Sequence, residues 1–337
     1  MTKVEKLPGV SVVLPVFFRH VSALQTRLLR DALESVLDQG YSGPMELVVV
    51  DDGSPHPVES LADQLGAAGT LIRWLRMPQN RGIVGALNAG IGSAAYPLIA
   101  RMDADDLWLD GKLNAQISLF QEDPDLTISG TGMIRVNTEG AAIDTHIRPG
   151  DWAGILRFFV EGGCPFPHGS IVADKRVYQI LGGYPNAANL RHCEDYSLWG
   201  VWLRFFKPAM VEKVLYAYRV SDRSVSSEYA EQQATASQLV RQRFEEINAA
   251  QIVPHALPAL AMALGTTLFD AGRMAYYIWH FRAAVCVPEA ARAPLAELLP
   301  DCFLLETSEP ARPWRDVLGL PRIDQAIGVA VRARNWN

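Results

Sequence analysis

The stretch Glu46-Leu-Val-Val-Val-Asp-Asp-Gly-Ser54 decides the fold class, because an apolar run ends there abruptly in acidic and turn-forming residues. A short apolar run bounded by turn residues is typical of a strand that is buried on both faces. Similar runs occur at residues 10–16 and 96–100, and segments with helical spacing of apolar residues, such as 22–39, lie between them. This alternation predicts an α/β fold with a mostly parallel central sheet flanked by helices.

The C-terminal third has a different pattern, since beyond residue 226 the apolar residues follow helical spacing. We therefore expect an α/β region over 1–226 and a mainly helical region over 227–337. An uncharged stretch between Glu246 and Asp270 is long enough to cross a bilayer, but two prolines and several polar residues interrupt it. Its composition favours a loop followed by a buried helix of a soluble protein.

The composition excludes several classes of protein. With 49% hydrophobic and 20% charged residues, the chain can bury a large core and is not intrinsically disordered. Its formal net charge of -6 argues against a protein that coats nucleic acid by charge alone. The four cysteines form no C-x-x-C pair, and the first apolar run lacks a signal-peptide pattern. We therefore expect a cytoplasmic protein with reduced cysteines.

Two acidic clusters follow predicted strands. Asp51 and Asp52 end one strand, and Asp103, Asp105 and Asp106 follow another. Ligands of open α/β sheets bind beyond the carboxyl ends of the strands, so neighbouring strands would bring both clusters to one crevice. Aspartates also cap turns and helices, but three within four positions repel one another unless a cation lies between them. A divalent metal that bridges carboxylates to a phosphate explains the cluster, whereas the P-loop and dinucleotide-binding glycine motifs are absent from the sequence.

Five segments resemble, in order and spacing, the motifs of family 2 glycosyltransferases: Val12-Val-Leu-Pro-Val-Phe17, Val48-Val-Val-Asp-Asp-Gly-Ser54, Asn80-Arg-Gly82 with Leu87-Asn-Ala-Gly90, Met102-Asp-Ala-Asp-Asp106 and Cys193-Glu-Asp-Tyr196. The resemblance implies a GT-A-like fold in which 1–226 binds the nucleotide sugar and catalyses transfer. Its donor half is expected at about 1–125 and its acceptor half at about 126–226. The implied reaction is an inverting transfer from a nucleoside diphosphate sugar, with UDP as the expected nucleotide, to a hydroxyl of a glycan or lipid-linked acceptor. Bacterial surface polysaccharide assembly is the implied setting.

By this resemblance, the donor nucleotide contacts residues near the strand ends. Pro15 and Phe17 are expected to line the base pocket, with the Phe17 ring against the base, although core packing is an alternative for Phe17. Asp51 and Asp52 are expected to reach the base and ribose, since carboxylates accept hydrogen bonds from ring N–H groups and sugar hydroxyls. Arg81 is a candidate for phosphate or base contact, or an exposed loop residue.

The segment Asp103-Ala-Asp105 resembles the family's D-x-D motif. Asp105 is the expected ligand of a manganese or magnesium ion, and Asp103 is expected to contact the ribose or support the metal's ligand shell. The metal would bridge the diphosphate and stabilise the leaving group. Related sequences frequently carry a further histidine where this chain has Ser221, so Arg219 and Arg223 are alternative partners for the phosphates.

On the acceptor side, Glu194-Asp195 resembles the family's E-D pair. Asp195 is the expected general base, which takes the proton of the acceptor hydroxyl as that oxygen attacks the anomeric carbon. The alternative is that Glu194 and Asp195 only begin a helix, where acids interact favourably with the N-terminal dipole. His168 and Trp199 are candidate acceptor-side residues, with a structural histidine and a core aromatic residue as the alternatives.

Other functions and partners stay open at this point. A non-catalytic sugar-nucleotide-binding partner subunit would bind the donor without transfer. A nucleotidyltransferase would need a glycine-rich loop after the first strand, which this sequence lacks. The C-terminal helices combine aromatic and arginine residues at 264–285 and 323–336. They predict either peripheral contact with the inner face of the membrane, or a helical cap or homo-oligomer interface; no nucleic acid partner is expected.

Overall fold

The computed structural model describes residues 7–62, 72–220, 229–245, 249–281, 285–300 and 312–318. The strands of its main sheet are β1 (Val10–Val16), β2 (Met45–Asp51), β3 (Ile72–Arg76), β4 (Leu98–Arg101), β5 (Leu107–Trp108), β6 (Leu126–Val136), β7 (Ala142–His146), β8 (Val172–Asp174) and β9 (Lys207–Arg219). Among the described residues, six α-helices lie between these strands in the chain: α1 (Ala23–Leu37), α2 (Gly82–Ser93), α3 (Lys112–Glu122), α4 (Trp152–Glu161), α5 (Lys175–Leu181) and α6 (Glu194–Phe205).

Within the described residues, these nine strands form one sheet in the order β3-β2-β1-β4-β8-β6-β9-β5, with β7 paired to β6. The first four strands are parallel, and Val13 of β1 pairs with Val48 on one side and Arg101 on the other. The pairs β4–β8, β8–β6, β6–β7 and β9–β5 are antiparallel. The α/β class with flanking helices is confirmed, but the expectation of a mostly parallel sheet is wrong for the second half. Parallel neighbours need a crossover such as α1 or α2, whereas β6 and β7 are joined by a tight turn.

Of the parallel strands, β1, β2 and β4 are buried on both faces, which explains their continuous apolar runs. On one face, Leu14 belongs to the same core as Leu29 of α1. On the other face, Gly90 of α2 lies so close that a Cβ there would be 2.5 Å from Cγ1 of Val13. The strand ends are therefore held in place by packing from both sides.

The C-terminal region consists mainly of helices, as expected: α7 (Ala230–Glu245), α8 (Ala249–Leu264), α9 (Leu268–Phe281), α10 (Glu289–Leu298) and α11 (Trp314–Leu318), with the short strands β10 (Val285–Cys286) and β11 (Arg312–Pro313). Among the described helices, none is by itself long and apolar enough to span a membrane. The helices α8 and α9 satisfy those criteria only as a pair, across a bend of 103°.

The chain divides into two compact units: unit 1 comprises 1–150, 166–186 and 209–230, and unit 2 comprises 151–165, 187–208 and 231–337. This division differs from the expected boundary at 226, because α4 and α6 pack with the C-terminal helices. The ring of Phe159 on α4 stacks on Tyr196 of α6 with centroids 4.2 Å apart, and lies 4.6 Å from the ring of Phe244 on α7.

Aromatic residues of α9 serve the core of unit 2. Tyr276 and Tyr277 are buried, and the Trp279 ring lies 5.6 Å from that of Phe205. Side chains that pack in this way favour the helical-cap alternative over membrane contact for α9. The other part of that prediction, residues 323–336, lies outside the described residues.

Candidate active site

The topology brings both acidic clusters to one edge of the sheet in unit 1. Strands β2 and β4 flank β1 and are parallel to it, so their carboxyl ends meet at the same edge. Asp51 is the last residue of β2, and Asp103 follows β4 by two residues. The two clusters therefore follow strands that end at one edge of the sheet, although β1 separates β2 from β4, and a crevice shared by both clusters stays a prediction.

Asp51 stabilises the loop after β2. Its buried carboxylate accepts hydrogen bonds from the amides of Ser54 (2.8 Å) and Val58 (3.1 Å), and it forms an ion pair with Nη1 of Arg76 (2.7 Å). These three protein donors occupy much of the carboxylate, and its predicted contact with base and ribose stays a prediction.

Asp52 is held between two loops. Its Oδ1 accepts from the backbone amide of Arg81 at 2.8 Å. Burial raises the pKa of Asp52, and the amides of Arg81 and Gly82 oppose that shift. Gly53, at φ +70°, lies against the backbone of Gln79, where a Cβ would be 2.5 Å from the carbonyl carbon. Close backbone contact thus fixes the Asp52 carboxylate beside the first turn of α2.

The predicted base-pocket residues differ in exposure. Phe17 is 39% exposed, so the core-packing alternative does not hold and its ring is available to a ligand. Pro15 is buried in β1 opposite Val50, and its predicted place in the pocket lining stays a prediction. The Arg81 side chain is exposed, as both interpretations of that residue required.

Two of the three aspartates after β4 are bound by the protein itself. Asp103 forms a close ion pair with the buried Arg101 and accepts from the Tyr216 hydroxyl at 3.2 Å. The same hydroxyl donates a close hydrogen bond to Asp106, whose Oδ1 accepts from the Arg219 amide at 2.7 Å. Burial, with the charge of Asp105 nearby, raises the pKa of Asp106 to about 7.

Asp105 is the exposed member of the cluster. The surrounding protein still raises the pKa of its carboxyl by desolvation, against the opposing charges of Arg101 and Arg219. The guanidinium of Arg219 binds the Asp105 carbonyl through Nη1 (3.0 Å) and Asp31 of α1 through Nη2 (2.9 Å). Arg219 therefore positions this loop, and its predicted contact with the phosphates stays a prediction, while Ser221 and Arg223 lie outside the described residues.

A metal fits this cluster only as part of a complex with the donor. Among the described residues, no group of three or more His, Cys, Asp or Glu side chains is arranged to hold an ion. Magnesium usually takes one or two carboxylates and completes its shell with phosphate oxygens and water, which Asp105 allows. Arg101 and Arg219 supply positive charge to the three aspartates. Repulsion among these carboxylates is therefore weaker support for a metal than the sequence alone indicated.

His168 is fixed by residues that the sequence did not single out. Its Nε2 lies 2.8 Å from the Tyr184 hydroxyl, and Asn88 of α2 bonds both the amide (2.8 Å) and the carbonyl (3.0 Å) of Tyr184. Burial and the nearby Arg101 hold the pKa of His168 well below its usual range, so the ring is neutral. Asn88 belongs to the Leu87-Asn-Ala-Gly90 segment, so the motif pattern alone could have identified it as a candidate site residue.

The predicted base lies in unit 2, where Glu194 and Asp195 form the first turn of α6. The half-buried Asp195 accepts from the Tyr196 amide at 2.7 Å through Oδ1, and the Cys164 thiol donates to Oδ2 at 3.7 Å. His192, just before this turn, has a φ of 64°, which is uncommon outside glycine. The acids therefore do occupy the helix start, as their structural alternative predicted.

Trp199 does not offer a surface to an acceptor. It is fully buried and meets Trp202 edge to face, with centroids 5.7 Å apart. The core alternative holds, because an indole on the inner face of α6 packs inside unit 2.

Comparisons with known proteins agree with the motifs. The sequence model of the family described as "Glycosyl transferase family 2" matches residues 11–177. EpsE of Bacillus subtilis, named provisionally as a glycosyltransferase, is 29% identical over 221 residues, which is 63% of this chain and 73% of that protein. The amylovoran biosynthesis glycosyltransferase AmsE of Erwinia amylovora is 30% identical over 174 residues, or 51% of this chain and 62% of AmsE. The crystal structure of residues 1–349 of S. aureus TarS aligns with 82% of this chain and 92% of that one, at 12% identity and a TM-score of 0.49.

Proposed function

We propose that this chain is an inverting glycosyltransferase, because the sequence model of glycosyl transferase family 2 matches residues 11–177. It moves a sugar from a nucleoside diphosphate sugar, with UDP as the expected nucleotide, to a hydroxyl of a glycan or lipid-linked acceptor. One observation carries the proposal: Asp52 and Asp105 present carboxylates beyond the ends of β2 and β4, on the two sides of β1.

Asp52 and Phe17 form the nucleoside end of the proposed site. The Asp52 carboxylate accepts a hydrogen bond from a ring N–H or a ribose hydroxyl, and the exposed Phe17 ring packs on the base. Because Asp52 is buried and its position is fixed by backbone amides, its hydrogen bond to the ligand is stronger than one in water.

Asp105 is the proposed contact for the diphosphate end. A divalent metal bound together with the donor would stabilise the negative charge that develops on the leaving diphosphate. Asp105 would hold that ion through its exposed carboxylate. Asp103 and Asp106 keep the loop in place through Arg101 and Tyr216, so they position Asp105.

Asp195 is the proposed general base. It takes the proton from the acceptor hydroxyl while that oxygen bonds to the anomeric carbon, and the bond from this carbon to the diphosphate breaks in the same step. One displacement inverts the anomeric configuration and needs no covalent intermediate. The Tyr196 amide and the Cys164 thiol fix the orientation of the carboxylate.

The names of relatives support a biological setting. AmsE is named for the biosynthesis of amylovoran. We therefore propose assembly of a bacterial surface or extracellular polysaccharide as the setting for this chain.

The proposal is tested by release of nucleoside diphosphate from a panel of sugar nucleotides, with Mn²⁺ or Mg²⁺ and with a crude glycolipid acceptor fraction. We expect release from one donor, faster with acceptor. A protein that binds a nucleoside diphosphate but releases none from any donor is a non-catalytic binder, and that result would contradict the proposal.

A further inference from the structure

Residues 17–30, which we call the basic segment, differ in charge from the rest of the chain. The chain has a net charge of -6, yet this segment contains Arg19, His20, Arg27 and Arg30 and no aspartate or glutamate. It runs from the end of β1 into the first half of α1 and lies in unit 1. It is therefore a cationic stretch on an acidic protein.

Three of these basic side chains are free to meet a partner. Arg19, His20 and Arg27 are exposed and have no ion-pair partner among the residues that the structure describes. Other arginines of unit 1 are paired with carboxylates: Arg73, Arg76, Arg101, Arg135, Arg176 and Arg219. The basic segment thus keeps positive charge that carboxylates neutralise at those six arginines.

The same segment exposes large apolar side chains. Val21 is 40% and Leu24 46% exposed, on either side of the N-cap residue Ser22, and Phe17 precedes them. The segment is anchored to the edge of the sheet, because the Phe18 amide donates to Ser54 Oγ at 3.0 Å. Exposed apolar and cationic side chains therefore alternate along one short stretch of the chain, and Leu24 and Arg27, three residues apart in α1, lie on one face of that helix.

Two carboxylates that follow in the chain, Asp31 and Asp51, are already paired with arginines outside the basic segment. Asp31 is paired with Arg219, and Asp51 with Arg76. The first turn of α1 contains no acidic residue, so the partial positive charge of the helix N-terminus adds to the basic segment.

We infer that the basic segment docks on the surface of an anionic lipid bilayer. Val21 and Leu24 enter the boundary between headgroups and acyl chains, and Arg19 and Arg27 meet lipid phosphates. A nucleic acid or a soluble polyanion would use the arginines but leave the two aliphatic side chains in water. A lipid surface uses both, and it brings the donor edge of unit 1 close to a lipid-linked acceptor.

The test is sedimentation of the full-length protein with two kinds of vesicle, phosphatidylcholine alone and phosphatidylcholine mixed with phosphatidylglycerol. We expect binding to the anionic vesicles only. The double variant Arg19→Gln/Arg27→Gln should lower the partition coefficient roughly thirtyfold, which corresponds to about 1 kcal/mol for each arginine near an anionic surface. The variant Val21→Ser/Leu24→Ser should also weaken binding, and its loss should persist at high salt.

Matched controls change equally exposed residues elsewhere. Ile143→Ser/Ile147→Ser removes side chains that are 52% and 58% exposed on and after β7, and Arg157→Gln/Arg292→Gln removes exposed arginines of unit 2. Both controls should bind as the unchanged protein does. Absence of binding to anionic vesicles, or equal loss in the controls, overturns the inference. So does heparin binding that matches vesicle binding in strength and is unaffected by Val21→Ser/Leu24→Ser, because that result identifies a soluble-polyanion site.

Affinity for nucleoside diphosphate, measured on every variant, separates this inference from the proposed function. None of the four substituted positions in the basic segment is placed in the donor site, so nucleotide affinity should not change. A protein that binds nucleotide but no vesicle overturns the docking alone. A protein that binds vesicles but no nucleotide contradicts the proposed function alone.

Discussion

Arg219 and Asp31 form an ion pair of 2.9 Å that ties the end of β9 to α1, and the same guanidinium holds the Asp105 carbonyl. The Arg219 side chain is buried, and an ion pair with little exposure to water holds its partners in place more firmly than one on the surface. Through its contact with the Asp105 backbone, this pair therefore positions the exposed carboxylate of Asp105.

We predict that Asp31→Asn and Arg219→Lys each weaken metal-dependent nucleotide binding roughly ten- to hundredfold, as is typical when support for a metal ligand is removed. Metal-free binding should change little, because Asp52 does not depend on this pair. Calorimetric titration with and without Mn²⁺ measures both. Asp144→Asn breaks the more exposed Arg135–Asp144 pair of unit 1 and serves as the control. Equal effects on metal-free binding would contradict a role through Asp105.

Asp105→Ala should remove the gain in nucleotide affinity that Mn²⁺ provides. A contact to a charged group is worth about 1.5–3 kcal/mol, so the loss should be roughly tenfold or more. Asp110→Ala, an exposed aspartate close by in the chain, is the comparison. Unchanged metal dependence in Asp105→Ala would show that Asp105 is not a ligand.

Asp195→Asn should lower kcat by roughly 10²–10⁴, the usual contribution of a positioned general base. Nucleotide affinity should stay within several-fold, since the proposed role begins at the acceptor. Glu161→Gln changes an exposed acid of the same unit and should leave kcat unaltered. If Asp195→Asn abolishes nucleotide binding in a folded protein, the assignment of the base is wrong.

Lys112 gives a prediction that concerns stability alone. It is fully buried, its Nζ lies 3.8 Å from the centre of the Trp108 ring, and no described residue accepts a hydrogen bond from it. Burial holds the pKa of Lys112 well below its usual range, so the unfolded chain binds one more proton between that lowered pKa and about 10.4. The free energy of unfolding should therefore rise with pH across that window.

Lys112→Met should abolish this rise and leave the protein equally or more stable at neutral pH, because an unpartnered amine no longer has to be buried. Urea unfolding at several pH values between neutral and about 10 measures the slope. Lys213→Met, at an exposed position, should keep the slope of the unchanged protein. A slope that survives in Lys112→Met would place its origin elsewhere.

The sequence was most informative where local pattern determines structure. The apolar runs before Asp51 and Asp103 predicted parallel strands whose carboxyl ends lie at one edge of the sheet, and this holds although β1 lies between β2 and β4. The antiparallel half was missed because the pairing of β8, β6, β9 and β5 joins distant segments and leaves little local signal.

The electrostatics of the acidic cluster could not be derived from spacing. Tyr216 and Arg219 bind Asp106 across more than a hundred residues, in a strand whose residues give no sign of that contact. The burial of Trp199 could not be derived from the sequence either. An indole ring can stack on a sugar, and only the packing of unit 2 shows that this ring is enclosed.

The most direct measurement is calorimetric titration of the protein with uridine, guanosine, thymidine and cytidine diphosphates, each with Mn²⁺ and with a chelator. The account predicts that one of them, expected to be UDP, binds more tightly with Mn²⁺, and that Asp52→Asn weakens binding in both conditions. A folded protein that binds none of the four, with metal or without, would contradict the assignment of this strand edge as a donor site.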